Sequence, residues 1–269
     1  MMVVNKGTSI GWSLEALKLD KDVLGLRLVS VLGCILHPIQ GDVHKLRPQY
    51  QGLIEEARVA LVHDIHGLAV LNDMLQYIFD KPSGLQHKDF LYVMEIVEKY
   101  FTNMRSIYDF MSKVLRLAVE ERDIGKVSFD SLNSLIAFAE TNAKAEQFLP
   151  EVLISLLTNI KAEFDLVRNI RDFIIHNGKQ ISLLKDDKGY LIGPFNDEGA
   201  LIELLPGENN KYEYLIPFLS QRTELMLKFG ESIAEVIHVE FVRMHGEFPF
   251  MWCALEGVCI PSFVKLLKW

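Results

Sequence analysis

Helical periodicity is the feature that most constrains the fold of this chain. Apolar residues recur at three- and four-residue spacing through four consecutive stretches, which is the pattern of helices that bury one face. Turn sequences separate the stretches, so neighbouring helices are expected to run antiparallel in a bundle. The four predicted helices lie at about residues 49–79, 87–121, 128–143 and 150–177.

The remaining apolar segments are assigned to the same bundle. Residues 217–245 predict a fifth helix, and the aromatic-rich tail 248–269 is expected to pack on the bundle. The run 23–36 predicts a buried helix, because Arg27 interrupts it and it is shorter than the roughly 20 residues of a membrane span. We therefore expect no membrane association.

A different periodicity appears after the fourth helix. Four short runs there have the composition of β-strands, and turn sequences such as Asp186-Asp187-Lys188-Gly189 separate them. The predicted fold class is therefore mainly α: an antiparallel helical bundle with a small antiparallel β insertion before its last long helix. The four runs are residues 180–184, 190–194, 200–205 and 212–216.

The length of 269 residues fits one large domain with appendages. We predict a single domain over residues 1–269. Its parts are an N-terminal extension at 1–45, a bundle core at 46–179, the β insertion at 180–216, and the last helix with its tail at 217–269.

Charge and cysteine content narrow the class of protein. The net charge of -8 argues against nucleic-acid binding through a general positive field, so any such contact must be local. The three cysteines, Cys34, Cys253 and Cys259, are odd in number and lack C-x-x-C spacing. This pattern favours free thiols in a reducing compartment, and we expect the protein to be cytoplasmic.

One arginine of the fourth predicted helix falls among apolar residues. At about 100° per residue, Arg171 lies within about 20° of the centre of the apolar stripe. A guanidinium keeps its proton and is costly to bury unpaired, so an anion, a cleft or a subunit interface is expected to receive it. The predicted stripe consists of Leu153, Leu156, Ile160, Phe164, Val167 and Ile174.

Arg171-Asp172-Phe173-Ile174-Ile175-His176, late in a bundle helix and followed by Asn177-Gly178, resembles the R-x-x-x-x-H signature of HEPN domains. The resemblance covers about residues 49–176 and implies a HEPN-like bundle. Many members of that family are metal-independent endoribonucleases of toxin, antiviral defence or RNA-processing systems. They commonly dimerise, so that two copies of the motif face one cleft.

The resemblance implies a division of chemical roles. RNA cleavage by its own 2′-hydroxyl needs a base, an acid and a cation, and a homodimer would supply two copies of His176 for the proton transfers. Arg171 would clamp the phosphate, and Asp172 would orient His176 as the third catalytic residue. No metal ion or other cofactor is expected.

Three further residues are assigned to RNA binding: Arg168, Asn177 and Lys179. Arg168 precedes Asp172 by four residues and is also expected to orient it. RNA would be the substrate or ligand, and an antitoxin protein is a possible partner.

Two other hypotheses stay open. Gly178 stands where several family nucleases have a tyrosine, so the domain would instead be an inactive HEPN-like module that binds RNA, nucleotide or protein. Alternatively, the sequence His63-Asp64-Ile65-His66, with His44 upstream, would form a metal site as in HD-type phosphohydrolases. The polar face of the first long helix is the simpler explanation of these histidines.

Overall fold

A long helical hairpin forms the centre of the molecule. The computed structural model describes residues 18–20, 23–24, 26–36, 48–80, 87–175, 182–186, 188–195, 211–246 and 261–267. The hairpin consists of α2 (Pro48–Phe79) and α3 (His87–Val114). The other helices are α1 (Arg27–Leu36), α4 (Leu132–Thr141), α5 (Ala145–Phe148), α6 (Glu151–Ile175), α7 (Leu215–His245) and α8 (Pro261–Leu266).

Helix α3 is the hub of the bundle, because it packs against α2, α4, α6 and α7. Its tyrosines Tyr100 and Tyr108 are completely buried. The Tyr100 hydroxyl lies 2.7 Å from Oγ1 of Thr223 on α7, and the Tyr108 ring meets the edge of Phe164 on α6 with 5.6 Å between centroids. Helix α3 therefore joins α6 to α7.

The direction of packing follows from two cross-helix contacts. Lys161 of α6 pairs with Glu140 of α4, with 2.6 Å between Nζ and Oε1, while Arg168 of α6 reaches back to Asn133 of α4. The residue numbers run in opposite directions along the two helices. The predicted antiparallel arrangement is confirmed for this pair.

Two helix boundaries differ from the sequence prediction. Helix α3 ends at Val114 rather than near residue 121, and a 3₁₀ turn at Leu115–Ala118 follows it. Helix α4 begins at Leu132 rather than at 128 or 129, because Ser131 caps it by accepting the backbone N–H of Ser134 at 3.1 Å. Both errors lie at helix ends, where periodicity carries little information.

The β insertion forms a three-stranded antiparallel sheet whose strands pair in the order of the chain. A separate two-stranded pair, β1 (Lys18–Asp20) and β2 (Val23–Leu24), precedes α1. The predicted turn is confirmed: Asp186 Oδ1 accepts the amides of Lys188 and Gly189 at 2.8 and 3.0 Å. The predicted strand at 200–205 lies outside the described residues. The three strands are β3 (Ser182–Asp186), β4 (Gly189–Phe195) and β5 (Lys211–Tyr214).

Aromatic contacts attach this sheet to the helices. The Tyr190 ring of β4 stacks on Phe79 with 4.7 Å between centroids and meets Phe90 edge-on at 5.3 Å. At the other end of the strand, Phe195 lies 5.2 Å from Phe218 of α7. The sheet therefore buries one side against the bundle, which three short strands require to be stable.

The N-terminal apolar run forms a buried helix, as predicted, although the helix begins only at Arg27. Arg27 is buried and pairs with Glu235 of α7, and its backbone N–H donates to Glu231 Oε1 at 3.0 Å. Burial raises the pKa of the Glu231 carboxyl to about 7. No helix in the described part of the chain has the length and apolar character to cross a bilayer.

Candidate functional site

Arg171 occupies a position of helix α6 at which the spacing of the buried residues predicts an apolar side chain. The buried residues of the stripe alternate at spacings of four and three, and Arg171 is the next position in that alternation. Leu157 is buried on this stripe, not the predicted Leu156, which is only partly buried. The alternating series is Leu153, Leu157, Ile160, Phe164 and Val167.

Arg171 lies at the margin between core and solvent. Its side chain is 29% exposed, and Nη1 donates to Asp172 Oδ1 at 2.8 Å. The preceding Ile170 is completely buried and fills the core at this level of the helix. The carboxylate of the adjacent residue, Asp172, is therefore an anion of the kind expected for this arginine.

Arg168 does not orient Asp172, contrary to the sequence prediction. Its guanidinium pairs with Asp165, with 3.3 Å between Nη2 and Oδ1, and donates to Asn133 on α4. Because α4 packs beside this face of α6, the side chain pairs with Asp165 and Asn133 and not with Asp172. Arg168 is thus anchored one turn before Arg171.

The other half of the motif lies outside the described residues. The predicted site residues concerned are His176, Asn177 and Lys179, because the described part of α6 ends at Ile175. The pairing of Arg171 with His176, and the support of His176 by Asp172, stay predictions.

A third arginine reaches the same region from another helix. Arg105 of α3 places its guanidinium carbon 4.7 Å from the centroid of the Phe164 ring, and that of Arg168 lies 6.0 Å from the same centroid. Arg105 also pairs with Asp109 of its own helix. No sequence pattern connects residue 105 with the motif, because the connection depends on how α3 packs on α6.

A buried ion pair lies two turns before the motif on the same helix. Glu163 Oε2 accepts from Nη1 of Arg222 on α7 at 2.6 Å, and the two side chains are 9% and 13% exposed. Glu163 Oε1, Arg222 Nε and the Tyr108 hydroxyl are buried without a hydrogen-bond partner among the described residues. This polar cluster joins α3, α6 and α7.

Burial dominates the ionisation of the cluster. It raises the pKa of the Glu163 carboxyl to about 7, although the Arg222 guanidinium acts in the opposite direction. Burial also raises the pKa of Tyr108 well above its ordinary value, and the charge of Glu163 adds to that shift. Glu163 therefore changes charge near neutral pH, whereas Tyr108 stays protonated.

The alternative histidine site gains no support from the described residues. The His63 side chain is 85% exposed and lies 3.3 Å from Asp64, and His66 contacts the Val62 carbonyl at 2.9 Å. His44 lies outside the described residues. Within the described part of the chain, no group of three or more His, Cys, Asp or Glu side chains converges as metal ligands.

Comparisons with protein-family models, curated proteins and solved structures gave no match for this chain. The resemblance to HEPN domains therefore rests on the sequence alone, on the spacing of Arg171 and His176 late in a predicted helix.

Proposed function

We propose that this protein is a HEPN-like, metal-independent endoribonuclease of a toxin or defence system. The observation that carries the proposal is the setting of Arg171: a guanidinium at a core register position, partly exposed and held by Asp172. A charged side chain at a position where an apolar one would also pack is a candidate for a functional role. The planar fork of Arg171 suits a phosphodiester.

The proposed reaction is an internal transesterification of the RNA, in which the phosphoryl group moves from the 5′-oxygen to the neighbouring 2′-oxygen. One copy of His176 removes the proton of the RNA 2′-hydroxyl, whose oxygen attacks the adjacent phosphorus. The second copy protonates the 5′-oxygen as its bond to phosphorus breaks, which leaves a 2′,3′-cyclic phosphate and a free 5′-hydroxyl. Arg171 stabilises the charge that develops on the phosphoryl oxygens.

A homodimer is part of this proposal, because one histidine cannot act at both oxygens at once. A twofold axis near the end of α6 would place both copies of the motif in one cleft. In the free protein Asp172 pairs with Arg171, so the phosphate must compete with this carboxylate. Release of Asp172 would then allow it to support the imidazolium form of His176.

The same ion pair favours a second candidate, a HEPN-like module that binds RNA, nucleotide or protein without cleaving it. An arginine already neutralised by its neighbour, on a chain of net charge -8, can serve recognition alone.

Cleavage of a structured RNA in excess chelator tests the proposal. We expect products that end in a 2′,3′-cyclic phosphate, with rates about 100- to 1000-fold lower for Arg171→Ala and at least as low for His176→Ala. Lys161→Ala is the control, because it removes an exposed cation of α6 about 15 Å from Arg171 and should leave the rate unchanged.

Three results separate the alternatives. Tight RNA binding without cleavage supports the binding module. Cleavage that disappears with chelator contradicts the metal-independent mechanism. Cleavage by a protein that remains monomeric at assay concentration, shown by light scattering, contradicts the paired-histidine mechanism.

A further inference from the structure

Three arginines from two helices lie near the contact between α3 and α6. Arg105 and Arg168 lie over the same buried Phe164 ring, so their guanidinium carbons are no farther apart than the sum of 4.7 and 6.0 Å. Arg171 follows Arg168 by three residues, which makes the two side chains neighbours on the helix surface. We call Arg105, Arg168 and Arg171 the arginine cluster.

The cluster is held in place before any ligand arrives. Phe164 is completely buried and supports two of the guanidiniums through cation–π contacts. Asn133 of α4 fixes Arg168 from the other side. Arginines ordered in this way lose little side-chain entropy when they bind an anion.

Each guanidinium is also paired with a partly exposed aspartate. Asp109, Asp165 and Asp172 pair with Arg105, Arg168 and Arg171, and the three carboxylate side chains are 29%, 33% and 41% exposed. These carboxylates offset the mutual repulsion of three adjacent cations. Since all three carboxylates reach solvent, a polyanion can compete with them for the guanidiniums without leaving a charge buried.

We propose that Arg105 extends the site of Arg171, so that the arginine cluster binds consecutive phosphodiesters of a single-stranded RNA. This inference rests on the proposed function and assigns Arg105 to substrate binding. The Arg105 side chain is 16% exposed, and we assign this exposed part to the RNA backbone. Three local cations on an acidic chain suit a short stretch of backbone better than a duplex face.

The test measures binding without cleavage. A fluorescein-labelled single-stranded 2′-O-methyl RNA lacks the attacking hydroxyl, and its affinity for the full chain is measured over a salt series. Arg105→Gln should weaken binding about tenfold, the loss of one charge-assisted hydrogen bond. It should also reduce the slope of log affinity against log salt by about 0.7.

The chain offers a closely matched control. Arg116 likewise lies over a phenylalanine, 5.4 Å from the Phe129 centroid, and pairs with Asp130 at 3.1 Å with its side chain 11% exposed. It is not part of the cluster. Arg116→Gln should therefore leave both the affinity and the salt slope unchanged.

A reciprocal variant keeps the test decisive if Arg105→Gln fails to fold. Asp109→Asn should tighten binding by releasing Arg105, while its amide oxygen can still accept the Leu132 N–H, now 3.0 Å from Asp109 Oδ1. Asp130→Asn removes the same charge from the control pair and should leave the affinity unchanged.

The outcomes distinguish the two proposals. If Arg105→Gln and Asp109→Asn behave like their controls while Arg171→Gln weakens binding, the assignment of Arg105 is wrong and the endoribonuclease proposal stands. Cleavage of unmodified RNA without measurable binding of the modified strand also overturns only the cluster. Absence of both binding and cleavage overturns both proposals.

Discussion

Two arginine–carboxylate contacts of helix α6, the pairs Glu163–Arg222 and Arg171–Asp172, differ in their access to water. The Glu163–Arg222 pair is almost fully buried and joins two helices, whereas the Arg171–Asp172 pair is partly exposed and formed by adjacent residues. The buried pair cannot exchange partners without leaving a charge in the core. The exposed pair can, so we assign structure to the first and ligand binding to the second.

The largest expected effect is on stability, from removal of one partner of the buried pair. Arg222→Met should lower the free energy of unfolding by about 3–5 kcal/mol at pH 8, because ionised Glu163 then lacks its counter-ion. Urea unfolding measures the loss. Arg243→Met is the control on the same helix: its side chain is 55% exposed, and the loss should stay below about 1 kcal/mol.

A double variant sharpens this result. Glu163→Leu with Arg222→Met removes both charges and should recover most of the stability lost in Arg222→Met. Failure to recover would show that the arginine stabilises the core by packing and not by compensating Glu163.

The next effect is a dependence of stability on pH. Burial raises the folded-state pKa of Glu163 from 4.5 to about 7, so the folded state binds the proton more tightly than the unfolded chain. The resulting stabilisation is complete below about pH 4.5 and is lost as the pH rises through about 7. Glu163→Gln should remove about 2–3 kcal/mol of the decline in stability between pH 5 and pH 8.

Glu231 provides a second test of the same relation. Its pKa is also raised by burial to about 7, and it lies on α7 against α1 instead of α6. Glu231→Gln should flatten the pH profile by a similar amount, and the two effects should add if the sites are independent. Identical pH profiles for the wild type and both variants would contradict the assigned burial effects.

The smallest stability change is expected at the exposed pair. Arg171→Met should alter the free energy of unfolding by less than about 1 kcal/mol, because the pair with Asp172 is partly solvated. The same variant should have lost most RNA cleavage. A loss of several kcal/mol at Arg171, measured by urea unfolding, would instead make this arginine a structural residue like Arg222.

Local pattern predicted the helices better than their contacts. Periodicity located α2, α6 and α7 within about two residues at the described boundaries, and Asp186 with Gly189 identified the hairpin turn. Helix ends depended on single caps such as Ser131, which a repeating pattern does not reveal.

Contacts between residues far apart in the chain could not be predicted from the sequence, for a physical reason. Glu163 and Arg222 are 59 residues apart, and Arg105 reaches Phe164 only because α3 packs on α6. Neither pairing leaves a periodic signal. Arg171 was recognisable because its charge violates a local rule, whereas each of the other charged residues is ordinary for a helix.

The contact of Glu231 with α1 has a consequence for synthesis of the chain. The carboxylate that receives the first backbone N–H of α1 is 204 residues later than its donor. At ribosomal rates of about 5–20 residues per second, α1 waits roughly 10–40 s for this acceptor to emerge. During that interval α7 cannot cover the apolar residues of α1, so the N-terminal helix reaches its final packing only after nearly the whole chain has been made.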